Sequence, residues 1–330
     1  MVRLAVLALL AFGLAAGLRA EAAEEPPLRL EAKIQLGRVF GRIDHLVIDL
    51  RRQRLFVAEL GNNSVGVVDL AEQKLVTTIA GLAEPQGVGY EASTDMLYVA
   101  NAADGSVRLF QGAKLTPSGR IELGDDADNV RVDAGAHKVV VGYGSGALAI
   151  VDPAKRAKIG DIPLAAHPEG FQLASSGGRV FVNLPDARQI VAVDSSAAKV
   201  TASWGLGGIG AQFPMAIDEG AQRVLVVARS PAKLVAFAIS DGSIVAQTDT
   251  CHDADDVFVD AKRSRVYVSC GDGHIDVLEP NGTGYQRLAH LQTAPGARTS
   301  FFSPDLDRLY LAVRAASGEP ASIWIFRPSP

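Results

Sequence analysis

The chain has 330 residues, a formal net charge of -5 and 48% apolar residues, enough for one large domain or two ordinary ones. Its charges are dispersed and weakly acidic, which excludes the basic footprint of a nucleic-acid binder and the polybasic patch that holds anionic lipid. Only two cysteines are present, Cys251 and Cys270, an even count that admits one disulfide in an oxidising compartment.

In chain order, residues 1–22 come first and read as a signal peptide. Arg3 precedes an apolar run from Leu4 to Leu18, and Ala20-Glu21-Ala22 fits a small-residue cleavage site. That run is shorter than the roughly 20 residues a spanning helix needs, and no apolar run of spanning length follows. Cleavage near Ala22 would leave residues 23–330 as one domain, soluble and either periplasmic or secreted. The next element is a lone strand, Leu28–Leu36.

A unit then repeats seven times: an apolar strand, a residue that is usually acidic, a short polar turn and a β-branched strand. The residues at the strand–turn junction are Asp49, Glu91, Asp133, Ala174, Asp218, Asp260 and Ser303, spaced 42, 42, 41, 44, 42 and 43 apart. Each copy continues through a small polar turn, such as Gly61-Asn62-Asn63 or Gly271-Asp272-Gly273, into a third strand, and most have a fourth. Four short antiparallel strands at this period make a propeller blade. No helix-period stretch follows the signal peptide, which excludes helical solenoids and doubly wound α/β folds. The fold expected is therefore an all-β, seven-bladed β-propeller. The last copy stops at its third strand, so the lone strand Leu28–Leu36 is expected to complete the last blade and close the ring.

Phe56-Val57-Ala58-Glu59 and Tyr98-Val99-Ala100-Asn101, each followed by a polar turn and a strand such as SVGVVDL or SVRLF, resemble the Tyr-Val-Thr-Asn repeat of YncE-like exported propellers. Ala stands where that repeat has Thr. The resemblance covers essentially the whole mature chain and implies fold without supplying catalytic residues.

Function in such a ring is sought at one end of the central channel. Five residues before each junction stand Asp44, Gln86, Asp128, Glu169, Phe213, Asp255 and Arg298; four before stand His45, Gly87, Asn129, Gly170, Pro214, Asp256 and Thr299. His167 lies just upstream. The positions three before the junction turn apolar, from Leu46 and Val88 to Met215 and Val257, so an acidic, histidine-bearing collar is expected above an apolar shaft. Convergent carboxylates raise one another's pKa unless a cation compensates. The ligand-binding candidates are Asp44, His45, Gln86, Asp128, Asn129, His167, Glu169, Asp255, Asp256 and Arg298. Asp44, Asp128, Glu169 and Asp255 could hold calcium, whereas zinc would favour the histidines. Arg298 either anchors an anionic ligand or neutralises Asp44 or Asp255. Cys251 and Cys270 fall at the collar end of the sixth blade, where a disulfide would pin the segment His252–Asp256.

The expected function is a binding module, without catalysis, that takes a small molecule or a protein partner at the channel mouth. The alternative is a metal-dependent hydrolase of the lactonase kind, with a divalent cation at the mouth. No cofactor is required by the first, and a monomer is expected. A quinone-cofactor propeller is disfavoured by the presence of only two Trp. Gly142–Gly146 resembles a phosphate loop but joins two strands, so it reads as a hairpin turn.

Overall fold

The computed structural model describes residues 25–175, 177–316 and 318–330. The signal-peptide segment lies outside them. The described chain forms seven antiparallel sheets of four strands each, the seven-bladed β-propeller that the repeat predicts. The innermost strands are Leu46–Asp49, Pro85–Glu91, Ala127–Asp133, Phe171–Leu173, Gly210–Asp218, Ala254–Asp260 and Ser300–Ser303.

The recurring acidic residue at the junction has a local cause. Its carboxylate accepts a backbone N–H two or three residues on, which fixes the first hairpin turn. Ala136 N donates to Asp133 at 2.8 Å, Ala221 N to Asp218 at 2.9 Å and Thr94 N to Glu91 at 2.8 Å. Ala174 lacks a carboxylate, and there Ser175 N donates to Glu219 of the next blade at 2.7 Å.

The apolar core is divided among the blade interfaces. Each of seven buried clusters joins two adjacent blades; one, for example, sets Phe56 and Val65 of blade one against Val88 and Leu97 of blade two. The strand Leu28–Gln35 pairs antiparallel with the third strand of the last blade, Ser322–Pro328, and closes the ring as expected. Thr299 reinforces the seam by donating from Oγ1 to the Ile43 carbonyl at 3.1 Å.

The inner strands approach so closely that small residues are required between them. A side chain at Gly87 would strike the Asp128 carbonyl oxygen, and one at Gly170 the Phe213 carbonyl oxygen. The gap at Gly170 is bridged by its own N–H, which donates to Phe213 O at 3.1 Å. These contacts draw the collar residues of neighbouring blades together.

Candidate functional site

At the collar end of the ring the channel opens a cavity of about 390 Å³. Among the residues proposed from sequence, Asp44, His45, Asp128, Asn129, Glu169, Asp255 and Asp256 line it. Gln86, His167 and Arg298 do not, although each touches the collar from behind: Gln86 donates to Asp126 at 3.4 Å, His167 lies 3.9 Å from Asp128, and Arg298 lies 2.9 Å from Asp255.

Asp128 sits at the centre of the arrangement, buried, with His45 Nε2 3.9 Å from its Oδ1 and His167 Nε2 3.9 Å from its Oδ2. Burial alone would raise its pKa, but His167, His45 and Arg42 outweigh that effect and hold it below the usual value. The two histidines are shifted in opposite directions. Burial pulls His45 down, which favours the neutral imidazole. Burial also acts against His167, yet Asp128, the Gly144 carbonyl accepting from Nδ1 at 2.6 Å, and Asp126 push it up to about 9. Asp44 meets Arg42 at 2.7 Å, but burial and the nearby charges of Asp128 and Asp255 still push it up to about 7. Glu169 is likewise raised to about 7, by burial and then by Asp128. Asp256 is pushed well above the carboxylate range by burial, against the backbone N–H of Ser300, which donates to it at 2.7 Å.

Asp255 is differently placed. One of its oxygens meets Arg229 and the other Arg298, at 2.9 Å. Arg298 also donates to Asp253 at 2.7 Å, so it neutralises collar carboxylates, as one of its two expected roles had it. Arg298 has company: Arg42 and Arg131 line the cavity, and Arg229, stacked 4.1 Å from the Phe213 ring centre, backs it. The collar is thus a lattice of both charges rather than a purely acidic ring.

The expected apolar shaft is present in part. Leu46, Val88, Val130, Met215 and Val257, three before their junctions, line the cavity while also packing between blades, and Phe171 does not line it. Side chains alternate along a strand, and the positions two before the junction add a second layer. It contains Val47, Arg131, Gln172, Ala216, Phe258 and Phe301. Arg131 and Gln172 make it a mixed layer. Neither Arg131 nor Arg229 was among the residues expected from sequence.

A metal fits the cavity only in part. Asp128 Oδ1 and Asn129 Oδ1 are buried without hydrogen-bond partners, the condition of an oxygen that could ligate a hard cation. Both oxygens of Asp255, however, are engaged by arginine. Among the described residues, three potential ligand atoms come within 4.8 Å of one another only at Cys251, Cys270 and Asp272, and these cysteines are bonded to each other.

The disulfide Cys251–Cys270 is present, with 5.9 Å between Cα atoms, at the collar end of blade six. It stands beside the segment that carries Asp253, Asp255 and Asp256. That segment is fixed further by Cys251 N donating to the buried Asp276 and His252 N to Asp272, each at 2.7 Å.

No helix among the described residues is long and apolar enough to cross a membrane. No protein-family model matches the chain, and no curated protein matches it. Solved structures do. The hydrazine synthase of Kuenenia stuttgartiensis superposes with a TM-score of 0.76 at 16% identity, covering 86% of this chain and 94% of that one. A chain of a mitotic checkpoint complex superposes with a TM-score of 0.76 at 15% identity, covering 96% of this chain and 98% of that one. At such identities the likeness is one of fold alone: this chain is a seven-bladed β-propeller, an architecture commonly used as a binding scaffold.

Proposed function

We propose that the protein is an exported binding module that takes a small molecule in the collar end of its channel. The observation that carries this reading is the set of buried, under-partnered polar groups turned to one cavity. Asp128 and Asn129 each present an oxygen without a hydrogen-bond partner, and burial, with neighbouring carboxylates, raises Asp44 and Glu169 to about 7. Buried polar groups in that condition cost stability, and a ligand that satisfies them offsets the cost. Export is supported by the signal-peptide pattern and by the disulfide, which persists in oxidising compartments. The Tyr-Val-Thr-Asn-like strands support a kinship with YncE-like propellers in this reading.

The crowding of Asp44, Asp128 and Glu169 favours one second reading, a divalent cation at the mouth serving a lactonase-like hydrolysis. The cation would polarise a carbonyl and lower the pKa of a bound water. His45, neutral and 3.9 Å from Asp128, could then accept a proton.

Native mass spectrometry and metal analysis, on protein purified from the export compartment without chelator, separate the two. A small organic molecule released on denaturation supports the binding module. One divalent ion per chain, lost in Asp44→Asn and Asp128→Asn, supports the hydrolase. A chain without either, whose melting temperature responds to no small molecule screened, contradicts both.

A further inference from the structure

Below the collar, Arg131 makes no ion pair within 4.0 Å among the described residues, although Asp256 and Asp128 lie near enough to act on its charge. The alternation of Ala127–Asp133 turns Arg131 into the channel. Its guanidinium lies 5.5 Å from the centre of the buried Phe171 ring, which steadies it from one side. Among the described residues its one hydrogen bond runs from Nη1 to the Val130 carbonyl at 3.0 Å. The ion pairs of the collar belong to Arg42, Arg229 and Arg298, and none of the described carboxylates comes within 4.0 Å of Arg131. A guanidinium has five N–H donors in a planar fork, and only one of these nitrogens makes a hydrogen bond here, while the side chain lines the cavity. Burial depresses the Arg131 pKa, the sign of a charge held at a cost. Apart from Gln172, the other side chains at the same depth are apolar: Phe258 and Phe301 meet edge to face with 6.2 Å between ring centres, beside Val47 and Ala216.

We propose that the channel pocket takes a small organic monocarboxylate, its anionic end on the Arg131 fork and its aliphatic or aromatic body against Phe258 and Phe301. This rests on the small-ligand reading above and narrows it to one charge class. The guanidinium fork matches the two oxygens of a carboxylate and forms paired, charge-assisted hydrogen bonds. Apolar walls with a few placed polar groups are the common make-up of a small-molecule pocket. Asp44, Asp128 and Glu169 line the same cavity, so their charge weighs against an anion and more heavily against a dianion than a monoanion.

The test titrates benzoate, phenylacetate and hexanoate, each beside its amide and its amine, into the purified protein by calorimetry. At least one acid is expected to bind, with its amide at least tenfold weaker. Arg131→Met should weaken that acid at least thirtyfold while still melting cooperatively. Should Arg131→Met fail to fold, Arg131→Lys carries the test: a point charge without the fork should weaken the acid severalfold and leave the amide unchanged. Acids that bind Arg131→Met as tightly as wild type overturn the proposal. So do amines that bind in their place and are lost in Asp128→Asn, an outcome that leaves the small-ligand reading standing. Binding by none of the nine compounds overturns the carboxylate assignment, and the mass measurement above then decides the broader reading independently.

Discussion

Asp44, Glu169 and His167 make the collar's stability depend on pH in a definite direction. The folded pKa of Asp44 is about 7 against an ordinary 3.8, that of Glu169 about 7 against 4.5, and that of His167 about 9 against 6.5. All three are raised, so the stability they contribute is fully present below the ordinary values. It is lost as pH rises, through about 7 for the carboxyls and about 9 for His167. The melting temperature should therefore fall between pH 6 and pH 9, and the double variant Asp44→Asn/Glu169→Gln should flatten the part below pH 8. An unchanged slope in that variant, followed by calorimetry across the range, would remove the crowding from the account. At this scale the sequence was legible in part. Residue type and strand position located Asp44, Asp128 and Asp256, because seven equivalent positions converge by symmetry. What they could not show is that Asp255 is held between two arginines, since Arg229 reaches it from a second strand of the neighbouring blade.

The inner strand is the element that positions the site, and its small residues are structural requirements. Gly87→Ala would drive a methyl group into the Asp128 carbonyl, so it should cost about 1–3 kcal/mol, the usual range for overpacking, and displace the central carboxylate. Chemical denaturation of Gly87→Ala checks this; wild-type stability would show that the blades yield there. In blade six the disulfide closes 19 residues of sequence separation, worth about 3 kcal/mol in the chain-entropy model. Cys251→Ala/Cys270→Ala should lose about that much in the same assay, and an equal denaturation midpoint would contradict it. The strand pattern was readable because β-branched runs and turn residues recur at one period. The facing of each strand was not. Three-before positions such as Val88 and Val130 both pack between blades and line the cavity, and apolarity alone does not say which surface a residue meets.

At the scale of the molecule, the ring holds only because its two ends pair. Leu28–Gln35 supplies the outer strand of the last blade, with Ile34 opposite Ile323 and Leu28 opposite Pro328. Removing residues 25–36 leaves the Ser322–Pro328 strand edge unpaired and uncovers Leu28 and Ile34 contacts in two interface clusters. That truncation should broaden and lower the urea transition; a transition as steep and as late as that of the longer chain would show that closure lies elsewhere. Ring closure was legible from arithmetic alone, one spare strand before the first repeat and one missing after the last. The ligand was not, because fold and period leave the chemistry of the channel open.

The central claim is that binding takes place inside the channel, and Ala216→Phe tests it most directly by setting a phenyl ring into the layer that faces Arg131. A thermal-shift screen of small molecules would be run on wild type and variant in parallel. The account predicts compounds that raise the melting temperature of the wild type and leave the variant unmoved, with both proteins melting cooperatively. Compounds that raise both equally would place binding outside the channel and contradict it.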